Sequence, residues 1–202
     1  MTTLVIFDID GTLTLRDSLI DFTGFGIRYH PLRFLTGFAL YLAFKCRLIS
    51  HPVFYHAWVW VCLKHLNQTT AELLFDRWVQ TRFPKILKPS ARLVLRHYQN
   101  QNIPIVLLSA NIAPLVSRIA AALKVQTWFA TELQTTPTTF TGHLNGPILR
   151  GTAKKDCLLA HFKASDLVNA AAYGNERSDL PLLSCVGHPI LVSKKTELPF
   201  PK

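Results

Sequence analysis

Two aspartates near the N terminus are the first residues whose types and spacing can do chemistry. Asp8 and Asp10 follow the apolar run of residues 4–7, and Gly11 after them permits a tight turn. In an extended chain, side chains two positions apart point the same way, so both carboxylates can face one pocket. Two close carboxylates repel each other and an anionic substrate, so such a site needs a cation and a basic side chain.

Three further polar clusters lie downstream: Ser109-Ala110-Asn111, Lys154 with Lys155, and the run from Gly174 to Asp179. A hard ion such as Mg²⁺ takes oxygen ligands and tolerates carboxylates together with phosphate oxygens. Carboxylates are also nucleophiles in enzymes that form an aspartyl-phosphate. The clusters match that chemistry. The Gly-x-x-Lys spacing favours Lys154 over Lys155, and both remain candidates.

The elements that must position these clusters alternate between strand and helix. Apolar runs predict strands at residues 3–7, 103–108, 170–173 and 189–192, and helical spacing predicts helices at 89–101, 113–123, 153–162 and 180–184. A short strand at 127–130 leads into a threonine-rich hairpin at 131–142. This alternation indicates an α/β protein with a parallel sheet. Ligands bind beyond the carboxyl ends of such strands, where the polar clusters fall.

One long segment interrupts the alternation. From about residue 13 to 83 the chain has helical spacing and many aromatic side chains, with little strand character. We therefore expect a catalytic core made of residues 1–13 and 85–202, with a helical cap inserted at residues 14–84.

The polar clusters resemble the four motifs of the haloacid dehalogenase (HAD) superfamily of phosphatases. The matching segments, in the same order, are residues 7–14, 107–111, 151–154 and 173–183. The helical insert directly after the first motif is similar to the subfamily IB hydrolases, which include phosphoserine phosphatase-like and phosphatidylglycerophosphatase C-like enzymes. The resemblance implies a Rossmann-like core, a parallel sheet flanked by helices, and an inserted all-helical cap.

The resemblance also implies a role for each matching residue. Asp8 would attack phosphorus and carry the phosphoryl group, while Asp10 would protonate the leaving oxygen and then activate the hydrolytic water. Ser109 and Ala110 would bind the phosphoryl oxygens. Lys154 would neutralise charge on the nucleophile and on the phosphate.

The implied cofactor is Mg²⁺. Its ligands would be Asp8, the main-chain carbonyl oxygen of Asp10 and the side-chain oxygen of Asn175, while Asp179 would hold a metal-bound water or the lysine. The family often has an aspartate where this chain has Asn175, and a small serine where it has Glu176. Whether Asn175 or Glu176 completes the metal site stays open at this stage.

The overall charge favours an anionic partner. Lysine and arginine total 22 against 12 acidic residues, a formal net charge of +10. A phosphorylated substrate, an acidic membrane surface and nucleic acid would all be attracted. The sequence contains no recognisable helix-turn-helix, zinc-finger or RNP-like motif, so we do not expect a nucleic-acid partner.

Cysteine usage and hydropathy indicate a compartment. The four cysteines are far apart and form no Cys-x-x-Cys pair, which suits a reducing cytosol better than a disulfide framework or a zinc knuckle. No signal peptide is visible. The longest apolar stretches, residues 34–44 and 53–63, are about half of what a spanning helix needs. We expect a cytoplasmic protein.

The composition of the insert bears on the substrate. No acidic residue occurs between Phe22 and Ala71, against five lysines and arginines. A phosphoserine site needs a carboxylate beside the substrate ammonium, which disfavours that substrate. A basic, apolar insert suits a phospholipid headgroup or other amphiphilic phosphate, with peripheral contact at the inner face of an anionic membrane as a further hypothesis.

Two alternatives remain open. One is a phosphatase for phosphoserine or another small soluble phosphomonoester. The other is a catalytically weak protein of this fold that binds anionic lipid or nucleic acid, which the uncharged Asn175 favours and the intact Asp8, Asp10, Ser109 and Lys154 oppose.

Overall fold

A computed structural model describes residues 2–193 and 197–199. Three parts of the predicted core lie outside the described residues: residue 1, residues 194–196 and residues 200–202. Within the described part, the strands are β1 (Leu4–Phe7), β2 (Ile105–Ile112), β3 (Thr127–Thr131), β4 (Leu133–Thr135), β5 (Phe140–Leu144), β6 (Ala170–Gly174) and β7 (His188–Leu191).

The described helices lie mainly between β1 and β2 and in the connections that follow. They are α1 (Ser18–Gly26), α2 (Pro31–Lys45), α3 (His51–Leu63), α4 (Gln68–Thr81), α5 (Phe83–Ile86), α6 (Pro89–Asn100), α7 (Ala113–Leu123), α8 (Thr152–His161), α9 (Ala164–Val168) and α10 (Leu180–Leu183). In this part of the chain, each helix falls short of the length and apolar character that crossing a membrane requires.

Five strands form one parallel sheet in the order β3-β2-β1-β6-β7. The central strand β1 is fully buried, and its side chains alternate between two apolar clusters, one on each face of the sheet. Helices must cover both faces of such a sheet. The predicted α/β class with a Rossmann-like core is confirmed.

One strand end differs from the prediction. The sequence predicted that the second core strand would end at residue 108, whereas β2 runs to Ile112. Its register against β3 shifts between Leu108 and Ile112, so the polar residues 109–111 form an irregularity inside the strand. The amide nitrogen of Asn111 donates to Oγ of Ser109, a local contact that the apolar pattern does not reveal.

Helices α1 to α4 pack around a cluster of aromatic side chains. Phe22 makes edge-to-face contacts with Phe34 and with Trp78, and Phe34 makes another with Trp58. All four side chains are almost completely buried. This packing explains the aromatic content of the segment. Its division from the rest of the chain, at residues 14–84, stays a prediction.

The two connections to these helices lie side by side. The amide nitrogen of Leu15 donates to the carbonyl oxygen of Ile86 at 2.8 Å, and that of Lys88 donates to Leu13 at 2.9 Å. The buried ammonium group of Lys88 donates to the carbonyl oxygens of Gly11 and Ser193. The chain therefore leaves and re-enters the sheet region through one hydrogen-bonded pair of segments.

The predicted hairpin forms from β4 and β5, which pair antiparallel with Leu133 opposite Leu144. At the start of β5, the carbonyl oxygen of Phe140 accepts from His65, and its amide nitrogen donates to Leu66. The hairpin thereby holds the turn that follows α3 against the rest of the molecule.

Candidate active site

The carboxyl ends of the three central strands meet at one edge of the sheet. Phe7 in β1 lies opposite Leu107 in β2 and Tyr173 in β6, so the residues that follow are brought together. A small pocket, partly open to solvent, lies at this edge. The predicted site residues that line it are Asp8, Asp10, Ala110, Lys154, Asn175 and Asp179.

Ser109 is the predicted site residue that does not line the pocket. Its side chain is buried in the irregular part of β2, and Oγ accepts a hydrogen bond from the amide nitrogen of Asn111. The neighbours Ala110 and Asn111 face the pocket instead. The phosphate-binding role of Ser109 stays a prediction.

A buried lysine joins two of the carboxylates. Nζ of Lys154 lies 2.6 Å from Oδ1 of Asp8 and 2.8 Å from Oδ1 of Asp179. Burial by itself lowers the pKa of Lys154, but the two carboxylate charges outweigh it and the net pKa is raised. Lys154 therefore stays charged. Lys155, the other candidate, is half-buried and lies outside the pocket lining.

Asp8 is held as a nucleophile would be. Burial raises the pKa of its carboxyl to about 6, and the charge of Lys154 offsets part of that rise. At neutral pH the carboxylate form therefore dominates. Oδ2 accepts a hydrogen bond from Oγ1 of Thr12 at 3.0 Å, so both oxygens have a fixed partner.

Asp10 has a different environment from Asp8. Burial raises the pKa of Asp10 well above its usual value, and the charge of Asp17 adds to the rise. Oδ1 accepts from the amide nitrogen of Ser18 at 2.7 Å and from its Oγ at 2.6 Å, which offsets part of the effect. The pKa of both carboxyl groups is raised, but a lysine charge offsets the rise at Asp8 whereas a second carboxylate adds to it at Asp10. Different surroundings of this kind separate the pKa values of paired carboxyl groups.

The donor set for a cation is made of oxygens from three residues. The side-chain oxygen of Asn175 lies 2.9 Å from the carbonyl oxygen of Asp10 and 3.2 Å from Oδ2 of Asp8. An oxygen that faces two other acceptors needs a cation between them, or a rotated amide whose nitrogen donates to both. Separations near 3 Å match neighbouring oxygen ligands of Mg²⁺ at about 2.1 Å from the ion. These residues fit a hard cation.

The cation site does not consist of histidine, cysteine and acidic side chains alone. Among residues 2–193 and 197–199, no group of three or more of them is arranged to hold a metal. Any ion here would depend on the amide oxygen of Asn175 and the main chain of Asp10 as well as on Asp8.

Glu176 also lines the pocket, where its carboxylate pairs with Arg150. Its Oε2 lies 3.0 Å from Nη2 of Arg150 and accepts from Oγ of Ser178. The amide nitrogens of Asn175 and Glu176 both donate to Oδ2 of Asp179 at 3.0 Å, so Asp179 orders the loop and Lys154 together. The role of Asp179, in holding a metal-bound water or the lysine, stays a prediction.

Gly174, at the end of β6, leaves room for this arrangement. A Cβ atom at this position would lie 2.7 Å from Cβ of Asp179. A larger residue would push Asp179 away from Lys154.

Several pocket residues had no signal in the sequence. Leu19, His51, Phe54 and Tyr55 come from α1 and α3 and cover the pocket, and Arg150 lines its rim. The Tyr55 hydroxyl donates to the carbonyl oxygen of Ala110 at 2.7 Å, which ties α3 to β2. Their positions depend on how distant segments pack, so spacing along the chain could not identify them.

His51 is neutral in this position. Burial lowers its pKa to about 4, and the positive charge of Arg150 adds to the effect. At neutral pH, His51 therefore adds no charge to the side of the pocket that α3 lines.

Comparison with known proteins identifies the family. A family model described as haloacid dehalogenase-like hydrolase matches residues 5–184, most of the chain. The chain belongs to this family. The match confirms the predicted superfamily and the prediction of a HAD-type enzyme. A sequence comparison of this HAD hydrolase with curated proteins found no match.

Solved structures share the HAD fold at low sequence identity. A protein of unknown function from Bordetella pertussis Tohama I has a TM-score of 0.83 and 20% identity, covering 95% of this chain and 90% of that one. A HAD family hydrolase from Salmonella enterica serovar Typhi has a TM-score of 0.70 and 17% identity, covering 91% and 60%. A substrate-bound phosphoserine phosphatase has a TM-score of 0.67 and 18% identity, covering 94% and 85%.

Proposed function

We propose that the chain is a Mg²⁺-dependent phosphomonoester hydrolase that forms an aspartyl-phosphate on Asp8. The observation that carries the proposal is the buried contact of 2.6 Å between Lys154 and Asp8, with Asp10 in the same pocket in a setting that favours its protonated form. A charged lysine beside an ionised carboxylate lets a phosphate dianion approach a nucleophile of its own charge.

The proposed reaction has two steps. An oxygen of Asp8 forms a bond to phosphorus while the bond to the ester oxygen breaks, and Asp10 gives its proton to the departing alcohol. Asp10, now ionised, takes a proton from water as the water oxygen attacks phosphorus. Inorganic phosphate leaves and the Asp8 carboxylate is restored. Ser18 holds Asp10 in place for both proton transfers.

The metal site would be built by Asp8, the carbonyl oxygen of Asp10 and the side-chain oxygen of Asn175. When bound, Mg²⁺ supplies positive charge that offsets repulsion between the two aspartates and the phosphate. Lys154 supplies a second, permanent positive charge on the opposite oxygen of Asp8.

For the substrate we propose a phospholipid headgroup or other amphiphilic phosphate. The part of the pocket that lies beyond the reacting atoms is lined by Leu19, Phe54 and Tyr55, with the neutral His51 beside them. Apolar and aromatic side chains of this kind bind apolar groups of a ligand.

A small amino-acid phosphate is the second candidate. Asp17 and Arg150 also line the pocket, and their charges are those that an ammonium and a carboxylate group would pair with. Several similar structures are phosphoserine phosphatases by name, which adds weight to this candidate.

The decisive experiment measures phosphate release from a panel of esters with and without Mg²⁺. The panel contains phosphoserine, sugar phosphates, nucleotides and phosphatidylglycerophosphate in detergent. We expect Mg²⁺-dependent turnover that Asp8→Asn reduces by at least about 10⁴-fold, because the nucleophile is lost. Asp156→Asn, at an exposed position of α8, is the matched control and should keep full activity.

The pattern across the panel separates the alternatives. The fastest ester decides between an amphiphilic and a small soluble substrate. No turnover on any class, with binding to anionic lipid or nucleic acid retained, would overturn the enzyme proposal in favour of a binding protein.

A further inference from the structure

Helix α2 exposes an apolar face. Of its exposed residues, only Thr36 and Lys45 are polar. We call the exposed apolar side chains the outer face of α2: Leu32, Leu35, Phe38, Ala39 and Leu42. Leu32 is 83% exposed, Leu35 51% and Leu42 49%. Contiguous apolar surface of this kind marks an interaction site more often than scattered exposed leucines do.

The other side of α2 is already occupied. Phe34 is completely buried, and Gly37 approaches α3 so closely that a Cβ atom there would lie 2.5 Å from Sγ of Cys62. The outer face is therefore not a surface that could turn inward and join the core. A helix of 15 residues with apolar side chains on both sides needs a second apolar environment.

Positive charge flanks α2 along the chain. Arg28 lies before α2, Lys45 ends it, and Arg47 follows in the next turn, all exposed. No acidic residue occurs between Phe22 and Ala71 to balance them. Apolar side chains flanked by cations are the pattern of a helix that lies in the surface of an anionic bilayer.

The charge pattern also discriminates between possible occupants. In a symmetric contact with a second copy, Lys45 and Arg47 would approach other cations, and this segment supplies no carboxylate to separate them. An anionic lipid surface gives each cation a partner and accepts the leucines between its headgroups.

The C-terminal end of α2 lies next to the pocket lining. The turn after α2 contains Leu48, 77% exposed, only three residues before His51 of the pocket lining. The Phe44 ring near the end of α2 lies 5.6 Å from the His51 ring. A bilayer in contact with this end of α2 would therefore lie near His51 of the pocket lining.

We propose that the outer face of α2 binds the surface of a bilayer containing anionic phospholipid. The apolar side chains enter the interface, and Arg28, Lys45 and Arg47 contact the headgroups. Membrane binding by this face is independent of the proposed reaction, since it requires neither Asp8 nor a metal.

Flotation with vesicles tests the proposal. The vesicles are phosphatidylcholine alone, or phosphatidylcholine with phosphatidylglycerol, and the protein is the full chain. We expect the wild type to float with the anionic vesicles and not with phosphatidylcholine alone. The double variant Leu35→Glu/Leu42→Glu should weaken binding at least about 10-fold, because two charges enter the apolar face. Raising salt to about 0.5 M should also weaken it.

A matched control and a catalytic control make the result specific. Leu93→Glu changes a leucine that is 56% exposed on α6, away from this face, and should float as the wild type does. Asp8→Asn should float normally although its hydrolysis is lost. Leu35→Glu/Leu42→Glu should hydrolyse p-nitrophenyl phosphate at the wild-type rate, which shows that it is folded.

Three outcomes would overturn the proposal. The wild type could fail to float with anionic vesicles, or Leu35→Glu/Leu42→Glu could bind as well as Leu93→Glu does. In the third, sedimentation would show a dimer that Leu35→Glu/Leu42→Glu dissociates, with no flotation, which would assign the face to a second copy. Failure of the hydrolase proposal would show separately, as absent turnover in a wild type that still floats.

Discussion

Asp8 and Asp10 have the same side chain but different surroundings. Lys154 neutralises Asp8 directly, while Asp10 accepts hydrogen bonds from Ser18 and feels the charge of Asp17. The difference is the basis for proposing Asp8 as the nucleophile and Asp10 as the acid. It also leads to two predictions about single residues.

The first concerns the proton that Asp10 donates. Asp10→Asn should slow hydrolysis of alkyl phosphates by about 10²–10⁴-fold, because an alkoxide is a poor leaving group without a proton. With p-nitrophenyl phosphate the first step needs no proton, so we expect a rapid release of about one equivalent of p-nitrophenol, followed by slow turnover. Rapid-mixing absorbance measures both phases. Equal losses on both substrates, without a burst, would contradict this role.

The second separates Lys154 from Lys155. Lys154→Met leaves the buried carboxylates of Asp8 and Asp179 without their shared cation, which should cost about 3–5 kcal/mol of unfolding free energy and abolish turnover. Lys155→Met, at a half-buried position outside the pocket, should change stability by about 0.5 kcal/mol or less. Urea unfolding followed by circular dichroism measures both. Similar costs for the two variants would show that the ion pairs do not contribute as described.

At the residue scale, the sequence could predict groups that share a motif and not groups that meet through folding. The order of Asp8, Lys154 and Asn175 along the chain was enough to predict a common pocket. Nothing around Ser18 or Arg150 marked them, because their partners are set by the packing of α1 and by the loop after β6.

Among the elements, the contact between α2 and α3 depends on a glycine. Gly37→Ala would add about 1 kcal/mol of helix propensity, yet its Cβ would lie 2.5 Å from Sγ of Cys62 and 3.0 Å from Nε1 of Trp58. We expect a net destabilisation of about 1–3 kcal/mol. Thermal and urea unfolding measure the effect.

Gly24→Ala is the matched control for this variant. Gly24 lies inside α1 and is exposed, and a Cβ atom added there would have no neighbour within 4 Å among the described residues. The same substitution should therefore stabilise the protein by up to about 1 kcal/mol. If both alanines stabilised it, the close approach of α2 and α3 would not be the reason for Gly37.

Element boundaries show where sequence patterns stop being informative. The predicted strand and helix alternation was correct because apolar runs and helical spacing are local properties. The true end of β2, at Ile112, depends on a register shift against β3, which no local pattern records. Exposure of α2 was equally hidden, since an apolar helix in a sequence is most simply interpreted as buried.

At the scale of the whole molecule, His51 links the helices to the sheet region. It lies at the start of α3 and faces Arg150 and Glu176. Because its pKa falls from 6.5 in the unfolded chain to about 4 in the folded one, the unfolded state binds more protons between those values. The contribution of His51 to the free energy of unfolding is thus fully present above about pH 6.5, and it is lost as the pH falls toward 4.

The corresponding variant is His51→Gln. Urea unfolding measures the free energy of unfolding at about pH 7 and at about pH 5. Between these two pH values the wild type should lose about 1–2 kcal/mol more of that free energy than the variant loses, a figure reduced because the ring is partly exposed. The control is His56→Gln, at an exposed position of the same helix. Its free energy of unfolding should fall between about pH 7 and about pH 5 by as much as that of the wild type. A wild type and a His51→Gln variant with parallel pH profiles would show that the helices do not bury this ring in solution.

The paired connections at Leu15 with Ile86, and at Leu13 with Lys88, have a consequence for how such a protein can change. The ends of the intervening segment are only one hydrogen-bonded pair apart, so its length places no strain on the sheet. A transplanted segment of another size could be joined at the same two points. The residues at the strand ends and the helical segment between these two connections can therefore diverge at different rates.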